Sequence, residues 1–442
     1  MKKVLILGAG LVSRPMVQYL LKLDQVETVV ATRTVSKARE LIGNHPRGRA
    51  IELLADDELA LHRLIADSDV VVSLLPYIYH PAVARHCVEL KKHLVTTSYV
   101  GEPMWSLDSA AQKAGVILLN EIGLDPGIDH MSAMAIINRV RTEGGTVKSF
   151  ISSCGGLPAP DSNNNPLGYK FSWSPRGVLM AGRNDARFLK DGTEVLIPAN
   201  RLFASAWRVR IEGVGEFEAY PNRNSLPYAE LYGLSGIRTM IRATLRNPGW
   251  CETMQAISEL GLLRADRIRT DLTRMTYAQW LREFVPGRGD LQEDTARRLN
   301  LPVDHPVIQR LEWLGLFSDE PIGIESGTGL DVLAKAMLPR MAYQPGERDM
   351  IVLHHQFVVE YPDRRWKMIE STLVEYGEPA GDTAMARTVS LPAAIAVRMI
   401  LEDRIKLSGV QIPVRRELYE PVMNELARIG ISFQERVKDL PA

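Results

Sequence analysis

The chain has 442 residues, 45% of them apolar and 24% charged, with 53 lysines and arginines against 53 acids. That length calls for two or three domains, and the even charge balance argues against a nucleic-acid or membrane-surface protein. No apolar run approaches the roughly 20 residues needed to cross a bilayer. Val4–Leu7 reads as a buried first strand, because Gly8-Ala9-Gly10 cuts the apolar start short and no small-residue cleavage site follows. Helical periodicity then runs over Arg14–Leu23. Strands are expected at Thr28–Thr32, Ile51–Leu54, Val70–Leu74, Leu94–Thr96 and Val116–Leu119. Helices alternate with them, one beginning near Ser36 and the others at Leu59–Ile65, Pro81–Leu90 and Leu107–Ala114. This β-α alternation predicts an α/β fold built on a doubly wound parallel sheet.

The pattern changes after Asp129. A helix is expected over Met131–Val140 and strands over Lys148–Cys154 and Trp207–Val214, with a polar stretch at Leu157–Gly168 between them. From about Glu230 to Leu316 the chain reads as helical, as in Thr253–Leu263 and Tyr277–Phe284. Ile351–Tyr361 and Trp366–Tyr376 read as two strands joined by a turn at Pro362-Asp363, and Pro392–Asp403 and Pro421–Ile429 as closing helices. Strands on both sides of a helical block suggest an α+β domain with a helical insertion. The three cysteines are isolated, which fits a reducing, cytoplasmic setting. The nine histidines are scattered, and His354-His355 on a strand would point to opposite faces, so no metal is expected.

The first chemical signal is Gly8-Ala9-Gly10 after the first strand. Glycines there let a backbone approach a pyrophosphate held at a helix N-terminus. Ser13 stands where the third glycine of the dinucleotide pattern would be, and is read as a variant of the turn whose hydroxyl reaches toward the phosphates. At the end of strand 2 an acidic residue would bind the ribose hydroxyl of NAD. Thr32-Arg33-Thr34 stands there instead, and a guanidinium fork suits a 2′-phosphate, so NADP is favoured over NAD. Other strand ends should line the same edge: Leu75-Pro76-Tyr77, Thr97-Ser98-Tyr99, and Asn120-Glu121 with Gly123–His130. Tyr99 and Asp125 could orient a substrate or move a proton; a packed tyrosine and a turn aspartate are the alternative readings. Arg223 and Arg246 suit carboxylate binding, with a surface or ion-paired arginine the alternative for each. Lys170, among aromatics, has the same ambiguity.

Several long segments together resemble the saccharopine reductase family, the glutamate-forming saccharopine dehydrogenases of lysine metabolism. They are Gly123–His130, Cys154–Pro160, Asn165–Ser174, Tyr220–Arg223 and Trp313–Asp319. The resemblance covers essentially the whole chain. It implies a variant Rossmann domain over residues 1–128 completed by 390–442. It also implies an α+β substrate domain over 129–230 and 320–389, and a helical domain over 231–319. NADP and a homodimer are implied, with saccharopine, or glutamate plus 2-aminoadipate 6-semialdehyde, as substrate. Carried over by matching segment, the cofactor would meet Gly8, Gly10, Leu11, Val12, Ser13, Thr32, Arg33, Thr34, Leu75, Asp125, Pro126 and Gly127. Saccharopine would meet Ser98, Tyr99, Asp125, Arg223, Thr244, Leu245 and Arg246, with Tyr99 and Asp125 the catalytic candidates. The chain departs from the family pattern at Glu52-Leu53-Leu54-Ala55, near the expected adenine, at Pro175, and over Pro286–Pro306. Enzymes of the carboxyspermidine or opine type are the rival reading, and a non-catalytic NADP(H) sensor a further one.

Overall fold

A computed structural model describes residues 1–441, which form two compact units. The first comprises Met1–Thr146 and Gly381–Gln434. Its strands are β1 (Lys2–Leu7), β2 (Val26–Thr32), β3 (Gly48–Glu52), β4 (Val70–Ser73), β5 (His93–Thr96) and β6 (Ile117–Leu119), joined late in the chain by Gly409–Gln411. They form one sheet in the order Gly409–Gln411, β6, β5, β4, β1, β2, β3, every pair parallel. The β1 run Val4–Leu7 and all of β4 are buried, as expected of central strands covered by helices on both faces. Leu7 pairs with Ala31 and Ser73, and Ser73 with Thr96. The residues after these four therefore leave the sheet together along one edge. The strand order reverses between β1 and β4, and that reversal opens the crevice where such sheets hold ligands.

Two expectations are corrected here. The closing helices start upstream of their prolines, at Ala384 and Arg416, with Pro392 and Pro421 inside. Thr383 caps the first, its hydroxyl accepting from the Ala386 amide at 3.0 Å, so burial and a cap outweigh the missing proline N–H. The helix Ala384–Leu401 is long and apolar enough to cross a membrane by length and composition. It is 72% buried within the unit, where it lies against Arg14–Leu21, β4 and β5. The other correction concerns Ile128–Thr142, placed after the expected boundary at 128. It belongs to the first unit and packs on Arg416–Arg428, where Asn138 donates to the Tyr419 hydroxyl at 2.9 Å.

The second unit comprises Val147–Ala380 and the chain from Glu435 onward. Its mixed sheet runs Trp207–Ile211, Gly215–Pro221, Thr239–Arg246, Thr146–Pro158, Asp349–Glu360, Trp366–Tyr376, Gln434–Leu440, with Ala186–Lys190 and Thr193–Ile197 attached to one side. The stretch 239–246 is a strand, not the helix expected from about residue 230 onward. It pairs in parallel with Thr146–Pro158 and antiparallel with Gly215–Pro221. The helices Trp250–Glu259, Tyr277–Arg282, Leu291–Leu299, Pro306–Trp313 and Gly329–Arg340 share one core with Leu167, Tyr169 and Phe171. The helices of 231–319 fall in the same compact unit as this sheet.

Candidate functional site

The β1 turn folds as a phosphate loop with one substitution. Gly8 has φ 108°, and a Cβ there would lie 3.2 Å from the Leu74 carbonyl oxygen, so glycine is required. A Cβ on Gly10 would meet nothing within 4 Å, which leaves open space for a ligand. Ser13 is fully buried, and its hydroxyl accepts from the Gly10 amide at 2.9 Å. Its side chain therefore shapes the turn from within, and does not reach outward as expected. Leu11 is exposed and Val12 half-buried at the helix entry. Arg33 is exposed at the end of β2, with no hydrogen bond or ion pair to any described residue, between half-buried Thr32 and exposed Thr34. Leu11, Leu54, Tyr77 and Ile78 add exposed apolar surface on the segments that follow β1, β3 and β4. Half-buried Leu75 lies two residues past the end of β4. An unpaired guanidinium beside an open glycine turn fits a dinucleotide carrying a 2′-phosphate.

Farther along the edge the Tyr99 hydroxyl donates to Asp125 Oδ1 at 2.8 Å, both residues half-buried. Asp125 is held by a self-bonded turn. Gly123 N donates to the Pro126 carbonyl at 2.9 Å, Ile128 N to the Gly123 carbonyl at 2.8 Å, and Gly127 N to Asp129 Oδ1 at 2.6 Å. Gly127 has φ 146°, and a Cβ there would fall 2.1 Å from the Gly123 carbonyl oxygen. Only glycine closes this turn.

Two networks support this edge, one around Glu121, which the sequence already places at a strand end, and one around His80, which carries no signal of its own in the sequence. His80 is buried, with Nδ1 2.9 Å from Ser73 Oγ and Nε2 2.9 Å from Ser98 Oγ and 3.1 Å from Thr96 Oγ1. Glu121 Oε1 accepts from the Val100 amide at 2.9 Å, and Oε2 lies 2.8 Å from His130 Nε2. Together they fix Ser98-Tyr99-Val100 from beneath. The available signal was polar residues clustered at strand ends, where an ordinary buried strand would continue apolar.

Burial lowers His80 from 6.5 to about 4, so the ring is neutral at physiological pH. In the unfolded chain it takes a proton as pH falls through 6.5, and in the folded chain only near 4. Its contribution to stability is therefore lost across that window on acidification, by up to about 3 kcal/mol. His93 and His354 are lowered by the same cause and add the same sign. Urea titrations across the window should show a shallower pH dependence for His80→Asn than for the parent; equal slopes would contradict this.

In the second unit Thr244 and Arg246 lie on one face of their strand and Leu245 on the other. The side chain of Leu245, expected to meet saccharopine, is fully buried in the sheet core; its carbonyl accepts from Arg246 Nη1 at 2.8 Å. Tyr220 pairs with Thr244 in the register. Arg246 is only 4% exposed, its guanidinium carbon 4.8 Å from the Tyr169 ring centre, 5.6 Å from Trp250 and 5.9 Å from Tyr220. Burial pushes Tyr220 up to about 12, so that phenol is neutral. The carboxylate of Glu218, opposite Arg246 in the register, accepts from the Gly249 and Cys251 amides instead, at 2.9 Å each. Arg246 thus has no carboxylate partner among the described residues, and its Nε is buried without a hydrogen bond. A desolvated, unpaired guanidinium is costly unless an anion arrives. Arg223 is exposed, with φ 54°, two residues past Gly215–Pro221. Lys170 is buried and already ion-paired with Glu347, so it does not serve as the free cation its aromatic setting suggested.

The glycine turn at the end of β1 and the exposed guanidinium of Arg33 give the first unit the features of a nicotinamide-dinucleotide-binding domain, as in oxidoreductases. The chain belongs to the saccharopine dehydrogenase family. The profile of the saccharopine dehydrogenase NADP binding domain matches residues 4–119, and that of the saccharopine dehydrogenase C-terminal domain residues 123–431. Saccharopine dehydrogenase [NADP(+), L-glutamate-forming] of Saccharomyces cerevisiae is 39% identical, over 98% of this chain and 99% of that protein. Bovine mitochondrial alpha-aminoadipic semialdehyde synthase is 36% identical over 98% of this chain, which spans 47% of that protein. The apo structure of the S. cerevisiae L-Glu-forming enzyme superposes with a TM-score of 0.89 at 38% identity, covering 99% of this chain and 100% of that one.

Proposed function

We propose that this chain interconverts saccharopine, NADP and water with 2-aminoadipate 6-semialdehyde, L-glutamate and NADPH. The observation that carries the reading is Arg246, buried and unpaired, in a chain that belongs to the saccharopine dehydrogenase family. Saccharopine is a secondary amine with three carboxylates, and Arg246 and Arg223 supply forked donors suited to them. Thr244 adds a hydroxyl beside Arg246, and Ser98 another beside Tyr99.

NADP, when bound, accepts the hydride from the lysine-derived ε-carbon. The turn Gly8–Ser13 would hold its pyrophosphate, Arg33 with Thr32 and Thr34 its 2′-phosphate, and Leu75 with the Asp125–Gly127 turn its nicotinamide end. The substrate amine must first lose a proton, because an ammonium cannot expel hydride, and its pKa near 10 makes a base useful. Asp125 takes that proton, with the Tyr99 hydroxyl holding the carboxylate in place. Water then adds to the imine carbon, the carbon–nitrogen bond breaks, and glutamate leaves as the amine. Asp125→Asn is expected to lower kcat by about 100-fold or more; an unchanged kcat would remove Asp125 as the base.

The cytoplasm is the proposed location. Its support is that Cys87, Cys154 and Cys251 are all buried free thiols, which suits a reducing compartment. A homodimer is the proposed assembly, checked by light scattering at twice the chain mass. The function itself is tested by offering the semialdehyde with NADPH and either glutamate or a diamine. Turnover with glutamate supports the proposal; turnover with the diamine alone replaces it with a carboxyspermidine-type activity.

A further inference from the structure

On the helices that flank β4, His62 of Glu58–Ala66 meets His86 and Glu89 of His80–Glu89. One donor atom from each lies within 4.8 Å of the others. The two rings stand edge to face, with centres 5.4 Å apart, and His62 Nε2 is 4.0 Å from Glu89 Oε1. Sequence spacing hid this cluster because its members come from different helices. His86 and Glu89 are three apart and so share one helical face.

We infer that His62, His86 and Glu89 form a binding site for a divalent transition cation of the zinc class, which would clamp the two helices together. Two imidazoles and a carboxylate with an open fourth position are a recurrent zinc donor set. Bonds of about 2.0–2.2 Å need the donors roughly 1 Å closer than they stand. Glu89 and His62 are exposed enough to rotate, with side chains 67% and 37% accessible. His86 Nδ1 is buried with no hydrogen-bond partner among the described residues, so this ring has bonding capacity that the protein leaves unused. His86 and Glu89 also sit in the last turn of their helix, where the backbone dipole favours a cation.

The location separates this site from the dinucleotide edge. The helix begins at His80, hydrogen-bonded to Ser73 and Thr96 at the strand ends, and finishes at Glu89, shortly before β5 starts at His93. The cluster therefore lies toward the opposite edge of the sheet, and the inference does not depend on the proposed reaction.

The test uses the full chain, stripped with a chelator and titrated with zinc against a chromophoric competitor. One equivalent should bind with micromolar affinity or better, and zinc should raise the melting temperature. His62→Gln, His86→Gln and the exposed Glu89→Gln should each weaken binding by at least about tenfold and abolish the thermal shift, with NADPH affinity unchanged as the check on folding. No zinc binding by the parent, or equal binding by parent and all three variants, would overturn the site.

Discussion

Replacing Arg246 by methionine should raise the KM for saccharopine by roughly 10–100-fold, the loss of about 1.5–3 kcal/mol for hydrogen bonds to a charged group. NADPH affinity should not change. The same substitution should leave the melting temperature unchanged or raise it, because it removes a guanidinium buried among Tyr169, Tyr220 and Trp250 without a carboxylate partner. A residue kept for stability would behave in the opposite way. Arg246→Lys should not restore the KM, since a point charge cannot reproduce a two-toothed contact. Steady-state kinetics and thermal unfolding on the same preparations check this; an unchanged KM with a lowered melting temperature would make Arg246 structural.

Exchanging Arg33 for aspartate should reverse the preference between cofactors. The guanidinium is exposed at the end of β2 with no partner among the described residues, so no fold contact is lost with it. Affinity for NADPH should fall by about 1.5–3 kcal/mol, roughly 10–100-fold, because a 2′-phosphate would then face a carboxylate. NADH, which lacks that phosphate, should bind as well or better, since an acid there can accept from its ribose hydroxyl. Fluorescence titration with both cofactors measures it. Equal losses for the two would remove Arg33 from the 2′-phosphate.

The first unit was legible because its signals are local. Val4–Leu7 followed by Gly8 and Gly10 announces a buried strand and a phosphate turn within a few residues, and the later strands alternate with helices in the same way. The second unit hid its key strand. Thr239–Arg246 is buried on both faces, so the two-residue alternation of a half-exposed strand is absent and charged Arg242 and Arg246 mimic a helical pattern. Read as a strand, Thr244-Leu245-Arg246 would have placed Leu245 in the core. The short strands Gly409–Gln411 and Gln434–Leu440 escaped for another reason: three residues carry no period, and Gln434–Leu440 is nearly all exposed at the edge of its sheet.

Among candidate site residues, those at strand ends are legible because the parallel sheet dictates where ligands bind. Ser13 shows the limit of that logic. The pattern places it in the turn, yet the direction of its hydroxyl, inward to Gly10, depends on the local turn. His80 carries no signal of its own, because its role comes only through Ser98 on another strand end; Glu121 is placed at its strand end by the sequence pattern, but its bond to His130 is visible only in the fold.

The central claim is the reaction. Purified protein incubated with saccharopine and NADP should show nicotinamide reduction, with glutamate and the aminoadipate semialdehyde each formed in equal amount to NADPH. Bound NADPH without saccharopine-dependent reduction, or reduction with lysine and 2-oxoglutarate as the products, would contradict it.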